Sequence, residues 1–261
     1  MGDELKCLVV VAHPDDESIW MGGTILRHTD WEWHVLSLCR ADDADRAPRF
    51  HRAARELGAR GYISDLDDSP IPAPLTENFA QIKERVRGVA SEGFDLVFTH
   101  GAEGEYTYHA RHAQTHRAVR EMIADGELAG ALFVFAYHDL GGAARPRPAA
   151  DADIAIDLTP TQFERKRRIV RDIYGFGPGS FEFDSAGPVE AFNVPDGSQQ
   201  PRVVAGLCAG LVRDRGRTLQ PRTECGDREP PPRLVCFAFS LFRAFAIGIH
   251  LPWLGNRSCV S

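Results

Sequence analysis

The sequence predicts an α/β fold with a doubly wound, mainly parallel sheet and helices on both faces. Short apolar runs, typical of strands buried on both sides, alternate with segments of helical periodicity through the first half of the chain. Two of these runs end at a histidine, His13 and His100. Because ligands bind beyond the carboxyl ends of parallel strands, this Rossmann-like arrangement would bring both histidines to one edge of the sheet.

The strands are predicted from short apolar and β-branched runs. The first run is apolar on consecutive residues rather than on alternate ones, as expected for a strand in the centre of a parallel sheet. The predicted strands are residues 5–12, 34–39, 62–63, 94–99 and 130–135, with residues 154–158 as a further candidate.

The helices are predicted from apolar positions three and four residues apart. In the helix expected after the third strand, Phe79, Ile82 and Val86 share one face. Gly58 is placed to end an earlier helix. The predicted helices are residues 21–28, 49–57, 76–91, 110–123 and 160–174.

Composition narrows the class of protein. The chain of 261 residues is 43% hydrophobic and has a formal net charge of −7, which suits a globular protein and argues against nucleic-acid binding. Its six cysteines have no CxxC spacing, so we do not expect a cysteine-based zinc site. The first apolar run leads directly into the His13 loop and is unlike a signal peptide, so a cytoplasmic location is expected.

Two regions are predicted from the change in composition along the chain. Residues 1–195 form the α/β domain, and residues 196–261 form an irregular C-terminal extension that is rich in Pro and Arg and then apolar. The apolar stretch 234–254 has about the length of a membrane helix, but Arg243 and His250 interrupt it. We expect a packed or partner-covered segment there, with contact to a membrane surface, disorder or a coding artefact as the alternatives. The oligomeric state stays open.

The strongest chemical signal is the loop after the first strand. There His13 is followed within three residues by Asp15 and Asp16. An imidazole and a carboxylate can both bind a divalent metal ion, and zinc hydrolases use three such protein ligands and leave one position open. The carboxylate that does not bind the metal could accept a proton from water. The loop supplies only two ligands, so the third must come from elsewhere in the chain.

A second group of histidines lies at the helix predicted for residues 110–123. His109, His112 and His116 recur at i, i+3 and i+7, which places them on one helical face. Histidines are poor apolar filler, because each one needs a hydrogen-bond partner when it is buried. One of them could complete the metal site, and another could polarise the substrate carbonyl or protonate the leaving group.

Together these motifs resemble those of the LmbE-like, PIG-L-type zinc de-N-acetylases. The segment AHPDDE at residues 12–17 is similar to the signature loop of that family. GEY at residues 104–106 and HARH at residues 109–112 are similar to its Gly-Glu-Tyr and His-x-x-His motifs. The segment 46–58 resembles the family's Arg…Leu-Gly helix, and the whole resemblance covers roughly residues 5–195.

The resemblance implies a Zn²⁺-dependent enzyme that removes acetyl groups from N-acetylglucosamine units of larger molecules. The residues that match the family's zinc ligands are His13, Asp16 and His112. Asp15 would be the general base, and His109 would stabilise the oxyanion and assist departure of the amine. His116 is expected to be structural, with ligation in place of His112 as the alternative.

Contacts with the substrate are expected from loops at the same edge of the sheet. The family's tyrosine usually stands two residues before its His-x-x-His motif, where this chain has Thr107, so either Tyr106 or Tyr108 could reach the oxyanion. For Trp20, substrate lining and core packing both stay open. The candidate substrate contacts are Arg46, Asp68, Glu105, Tyr106 and Tyr108.

The expected partner is a small-molecule glycoside. The chain is also similar to the deacetylases that act on the N-acetylglucosaminyl pseudoaglycone of teicoplanin-type glycopeptide antibiotics, which implies an enzyme of secondary metabolism. Three alternatives stay open. They are hydrolysis of a longer N-acyl group, action on a thiol-cofactor precursor, and sugar binding without turnover by a metal-containing module.

Overall fold

The computed structural model of the chain describes residues 5–69, 79–90, 93–106, 108–138 and 145–195. The predicted C-terminal extension, with its apolar stretch, lies outside these ranges. None of the helices within them is both long and apolar enough to span a membrane.

The strands are β1 (Lys6–Val11), β2 (Glu32–Ser37), β3 (Arg60–Ile63), β4 (Leu96–Thr99), β5 (Ala131–Phe135), β6 (Tyr137–His138), β7 (Arg147–Pro148), β8 (Ile154–Asp157) and β9 (Val189–Asn193). The helices are α1 (Asp16–Arg27), α2 (Arg46–Leu57), α3 (Phe79–Val89), α4 (Ala110–Ala124), α5 (Pro160–Arg168), which continues into a π-helical turn (Ile169–Ile173), and α6 (Phe181–Ser185).

Seven strands form one sheet, in the order β3-β2-β1-β4-β5-β9-β8. The five strands β3, β2, β1, β4 and β5 are parallel to one another, whereas β9 runs antiparallel to both of its neighbours. Strands β6 and β7 form a second, small sheet. The predicted doubly wound, mainly parallel sheet is therefore confirmed. The strand order reverses between β1 and β4, so a crevice opens where the loops after these two strands leave the sheet.

The sheet has a separate apolar core on each face. Alternate residues of β1 point to opposite faces, so that Val9 and Val11 pack in one core and Leu8 and Val10 in the other. Helices α1 and α2 and the π-helical turn after α5 cover the first core, and α3 and α4 cover the second. Because β1 is buried on both sides, its carboxyl end is a rigid base for the loop that follows it.

Helix α1 begins at Asp16 rather than at the predicted residue 21. Its first turn is polar in sequence, yet Asp16, Glu17 and Ser18 are all buried. Buried polar side chains need hydrogen-bond partners, and here Ser18 donates to Glu17 within the turn while Tyr174, distant in sequence, donates to the same carboxylate, both at 2.7 Å. An apolar pattern cannot reveal such contacts. The helix therefore starts inside the crevice.

Helix α6 and strand β9 follow Gly175, and the sequence pattern predicted neither of them. Strand β9 contains Glu190, a residue type that is uncommon in strands. In the structure the Nζ atom of Lys166, in α5, lies 2.7 Å from Oε1 of Glu190, and both side chains are fully buried. The strand tolerates its carboxylate because a helix distant in sequence supplies the opposite charge.

Glu190 also anchors the middle of α1. Its carboxylate accepts the backbone N–H groups of Gly23 and Thr24 at 2.8 and 2.7 Å. The carbonyl of Trp20 accepts the hydroxyl of Tyr137 at 2.8 Å. These polar contacts hold α1 against the sheet, so its first turn has a fixed position in the crevice.

Candidate metal centre

The loop after β1 makes a tight turn into α1. The carbonyl of Asp15 accepts the N–H groups of Ser18 and Ile19, both at 2.9 Å. The N–H group of Asp15 donates to the Glu17 carboxylate at 3.1 Å. The φ angle of Asp15 is 140°, in the region that favours glycine. Such strain costs about 1–3 kcal/mol in other residues and clusters at functional sites.

Three predicted metal ligands converge in the crevice. Nδ1 of His13 lies 3.4 Å from Oδ2 of Asp16. Nε2 of His112 lies 3.4 Å from that oxygen and 3.3 Å from Nδ1 of His13. A tetrahedral zinc ion with bonds of about 2.0–2.1 Å holds its ligand atoms about 3.3–3.4 Å apart. The triangle of donor atoms therefore has the dimensions that such an ion requires, and the residues fit the metal that the motifs imply.

Hydrogen bonds direct a lone pair of each histidine into this triangle. Nε2 of His13 lies 2.8 Å from Oδ1 of Asp68, to which it donates its proton. Nδ1 of His112 donates in the same way to Oε2 of Glu105 at 2.6 Å. In the neutral form of each histidine, the other ring nitrogen then carries the lone pair that can bind a metal ion. Carboxylate partners of this kind are typical of metal-binding histidines.

Asp16 is held from a third side by Trp20. The indole N–H of Trp20 donates to Oδ1 at 3.0 Å, while Oδ2 faces the two histidines. Although burial alone would raise it, the neighbouring imidazoles, His112 foremost, hold the pKa of Asp16 well below its usual range. Trp20 is 2% exposed and lines the inner end of the crevice, so it contributes a hydrogen bond there as well as packing.

His100 lies close to the triangle but has no lone pair to offer. Its Nε2 atom is 3.5 Å from Oδ2 of Asp16, yet it already accepts the backbone N–H of Ala12 at 2.9 Å. Its Nδ1 atom donates to Glu105 at 3.0 Å. The ring stacks on His112 with centroids 3.8 Å apart, so His100 holds the imidazole of His112 in place by packing against it.

Glu105, one of the predicted substrate contacts, lies at the inner wall of the crevice with its carboxylate bound by neighbouring groups. It is 2% exposed, and its oxygens accept from His100 and His112 and from the backbone N–H of Gly101. Three donors engage the carboxylate, which positions the two imidazoles; its contact with a substrate stays a prediction. The sequence motif could identify Glu105 but not the direction in which it points.

The remaining histidines of the second motif have different surroundings. His109, at the start of α4, stacks on His112 with centroids 4.1 Å apart and meets His13 edge-on at 5.1 Å. Partial burial and the nearby imidazoles of His112 and His13 lower the pKa of His109 to about 4, so that it is neutral at pH 7. His116 donates from Nδ1 to the carbonyl of His100 at 2.8 Å, which gives it a structural role outside the triangle.

Asp15 stands beside the triangle without belonging to it. Its Oδ2 atom lies 3.3 Å from Nη1 of Arg46, the sequence-predicted substrate contact. Burial and the adjacent Asp16 carboxylate raise the pKa of Asp15 well above its usual value. Arg46 in turn lies over the ring of Phe176, 4.7 Å from its centroid. The arginine therefore provides a fixed positive charge next to Asp15.

An open cavity of about 570 Å³ leads from the surface to the triangle. Tyr106 lines it and stacks on Phe181, with ring centroids 4.4 Å apart. Tyr108 also lines it and is 57% exposed. Thr107, between the two tyrosines, is outside the described residues. Asp68 borders the cavity too, but its carboxylate is held by His13 and by Arg40 at 2.8 Å each.

Known proteins share this fold. N,N′-diacetylchitobiose deacetylase from Pyrococcus horikoshii is 20% identical and covers 74% of this chain and 84% of its own, with a TM-score of 0.53. The zinc inhibited form of teicoplanin deacetylase Orf2 is 14% identical and covers 74% of this chain and 100% of its own, with a TM-score of 0.54. GalB, the 4-carboxy-2-hydroxymuconate hydratase from Pseudomonas putida KT2440, is 21% identical and covers 70% and 82%, with a TM-score of 0.50.

At these identities the solved structures establish the fold, and the hydratase among them means that the fold alone does not determine the reaction. A match to the family model described as PIG-L, GlcNAc-PI de-N-acetylase, gives information about the reaction. The match spans residues 8–123, the stretch that contains all three atoms of the triangle and Asp15. Over this stretch the chain is similar to the PIG-L, or LmbE-like, de-N-acetylases, a family of amide-hydrolysing enzymes.

Proposed function

We propose that the chain is a zinc-dependent N-deacetylase that hydrolyses the acetamide of an N-acetylglucosaminyl group. The observation that carries the proposal is the triangle formed by His13, Asp16 and His112, with sides of 3.3–3.4 Å and with Asp15 next to it. Two imidazoles and one carboxylate form a donor set common to catalytic zinc sites. When bound, zinc supplies Lewis-acid polarisation of a carbonyl and lowers the pKa of water toward about 7.

Asp15 is proposed to move the proton. It is the carboxylate of the loop that does not face the triangle, and Arg46 stabilises its ionised form at 3.3 Å. As a water molecule attacks the acetamide carbon, Asp15 takes one of its protons and then delivers it to the nitrogen of the breaking C–N bond. Acetate and a free amine are the products.

His109 is proposed to stabilise the oxyanion. Its depressed pKa keeps the ring neutral at pH 7, so one ring nitrogen carries a proton that can be donated to a developing negative charge. Its position at the cavity, against both metal-binding histidines, supports this role. Tyr108 and Tyr106 are the candidates for a second donor.

The proposed substrate is an N-acetylglucosaminyl group on a secondary metabolite such as a glycopeptide pseudoaglycone. The cavity is open and offers stacked aromatic rings, Tyr106 with Phe181, on which a sugar or an aromatic aglycone could pack. Two structural neighbours are described as deacetylases of a chitobiose and of the teicoplanin pathway, which supports the same substrate class. A longer N-acyl glucosamine and a thiol-cofactor precursor are the alternative substrates.

The proposal is tested by a mass-spectrometric screen of N-acetylglucosaminyl compounds, including glycopeptide pseudoaglycones, with the zinc-loaded protein. We expect loss of one acetyl group and release of acetate. Decanoyl analogues in the same screen separate a deacetylase from an enzyme for longer acyl groups. Binding of these sugars without any product would indicate a sugar-binding module and would overturn the proposal.

Paired variants separate the roles of the two carboxylates. Asp15→Asn should retain zinc, and its rate of hydrolysis should fall about 10²–10⁴-fold because the general base is missing. Asp16→Asn should instead lose zinc, measured by elemental analysis of the dialysed protein. Asp30→Asn, in the exposed turn after α1, is the control and should change neither property. Full activity of Asp15→Asn would remove the proposed mechanism.

A further inference from the structure

A second group of metal-binding atoms lies on the far side of His13. The side chains of His13, Cys39 and Asp68 offer one ligand atom each within 4.8 Å of one another. The two nitrogens of His13 serve different neighbours, since Nδ1 faces Asp16 and His112 whereas Nε2 contacts Asp68 at 2.8 Å. The mechanism proposed above makes no use of Cys39.

We propose that Cys39, Asp68 and Nε2 of His13 form a second cation site, which takes a thiophilic divalent ion such as Zn²⁺ or Cd²⁺ when that ion is in excess. A thiolate, an imidazole and a carboxylate are a suitable donor set for such ions. The ring of His13 would then be shared between two cations. Occupation of this site inhibits the enzyme.

The topology of the sheet explains how the three residues meet. His13, Cys39 and Asp68 follow β1, β2 and β3, three strands that are neighbours in the sheet. Backbone hydrogen bonds join their loops: Cys39 donates to the carbonyl of Ala12 at 3.0 Å, and Leu66 donates to the carbonyl of Leu38 at 2.9 Å. No CxxC spacing is needed, because the fold rather than the local sequence brings the ligands together.

A cation can reach this group from the solvent. The side chain of Asp68 is 23% exposed and borders both the main cavity and a second cavity of about 470 Å³. Four further aspartates line the second cavity: Asp42, Asp43, Asp65 and Asp67. Their charge raises the local concentration of cations near Asp68.

The groups around Cys39 and Asp68 give this second site a lower affinity for a cation than the triangle has. Arg40 holds Oδ2 of Asp68 at 2.8 Å, which leaves Oδ1 for a cation but places a positive charge nearby. Burial, reinforced by the Asp68 carboxylate, raises the pKa of Cys39 to about 12, so the thiol carries a proton that a metal ion must displace. Formation of the metal–Sγ and metal–Nε2 bonds releases two protons to the solvent. We therefore expect occupation only by the second equivalent of metal.

Inhibition follows from the loss of the contact between Asp68 and His13. That hydrogen bond orients the ring of His13 toward the triangle, and such partners commonly change metal affinity or activity 10–100-fold. A cation on Nε2 replaces the bond and withdraws electron density from the ring. This consequence rests on the proposed function, whereas the binding itself does not.

A cadmium titration of the full chain tests the binding. Wild type, Cys39→Ser and Cys7→Ser are compared by thiolate-to-cadmium charge-transfer absorption. Cys7 is the matched control, since it is also a buried free cysteine but lies away from the crevice on β1. The four cysteines beyond residue 195 are present in all three proteins, so differences between the proteins isolate Cys39.

We expect wild type and Cys7→Ser to gain the same absorption at the second equivalent and Cys39→Ser to lack that increment while still binding the first. Equal absorption in all three proteins would overturn the proposal. Excess zinc should inhibit wild type and Cys7→Ser at least tenfold more than Cys39→Ser, and equal inhibition would remove the regulatory role. If Cys39→Ser does not fold, X-ray absorption of wild type with two equivalents of cadmium decides. A second ion without a sulfur ligand contradicts the site.

Discussion

The side chain of Trp20 determines how Asp16 meets the metal site. Its indole N–H occupies Oδ1 at 3.0 Å and leaves Oδ2 pointing at both histidines. We predict that Trp20→Phe weakens zinc binding about 10–100-fold, as expected for the loss of a partner of a metal ligand. Competition with a chromophoric chelator measures the affinity.

The matched control for this prediction is Trp33→Phe. Trp33 is equally buried and also donates its indole N–H, but to the carbonyl of His28 at 2.9 Å, outside the crevice. Its substitution should leave zinc affinity unchanged. If both variants bind zinc like wild type, the bond from Trp20 has no part in holding the ligand.

Glu105 orients His112 through a hydrogen bond, as Trp20 orients Asp16. Three donors point at its carboxylate, and an amide in its place would set its own NH₂ group against at least one of them. We predict that Glu105→Gln lowers zinc affinity about 10–100-fold and stability by about 1–3 kcal/mol. Glu103→Gln, an exposed residue of the same loop, should change neither quantity. Metal titration and urea unfolding measure the two effects.

At this scale the sequence was enough to predict the ligands but not the residues that orient them. His13, Asp16 and His112 belong to motifs with a fixed local spacing, so the prediction needed only their types and positions. Trp20 and Glu105 act through the direction of their side chains, which is set by packing between distant segments. The sequence predicted Glu105 as a substrate contact and gave no sign that its oxygens accept hydrogen bonds from His100 and His112.

At the scale of elements, two adjacent glycines in α1 have unequal importance. A Cβ atom on Gly23 would lie 2.3 Å from Cδ1 and 2.9 Å from Cγ of Leu158, whereas the nearest atoms to one on Gly22 are 3.7 Å away. We predict that Gly23→Ala destabilises the protein by about 1–3 kcal/mol through overpacking. Gly22→Ala should stabilise it by up to about 1 kcal/mol, because alanine is the better helix former. Urea unfolding measures the free energy of unfolding of both variants, and equal changes in the two would contradict this prediction.

Lys166 and Glu190 join α5, β9 and α1 through a buried ion pair. We predict that Lys166→Met destabilises the protein by about 3–5 kcal/mol, because it leaves the Glu190 carboxylate buried without its counter-charge. Lys83→Met is the control, since Lys83 makes only surface ion pairs of 3.4–3.9 Å with acidic residues, and should cost less than about 1 kcal/mol. Similar losses in both variants would show that burial of the pair is unimportant.

This pair also explains where prediction of the elements from sequence ended. Strands β1, β4 and β5 are mostly apolar and β2 contains the apolar pair Val35 and Leu36, so short apolar runs were enough to find them. Strand β9 carries a charge whose partner lies 24 residues away, and the first turn of α1 is polar because it holds site residues. In both cases a long-range contact, absent from any local pattern, decides the structure.

At the scale of the whole molecule, the site depends on the reversal of strand order between β1 and β4. His13 follows β1 and His112 lies in the helix after β4, 99 residues apart in sequence, yet their ring nitrogens are 3.3 Å from each other. The parallel alternation predicted from sequence was enough to place both segments at one edge of the sheet. The contact between them is therefore a consequence of topology rather than of either motif.

A metal ion bound across these two segments should stabilise the entire fold, because the unfolded chain cannot hold the triangle together. Zinc at about 1,000 times its Kd would add about 4 kcal/mol, which raises the Tm of a domain of this size by roughly 8–16 °C. Thermal unfolding of wild type with zinc and with a chelator measures the difference. His112→Ala should unfold at the same temperature in both conditions, since it lacks one corner of the triangle. A wild-type Tm that does not respond to zinc would mean that the two loops are not joined by a metal ion, whatever other role the histidines have.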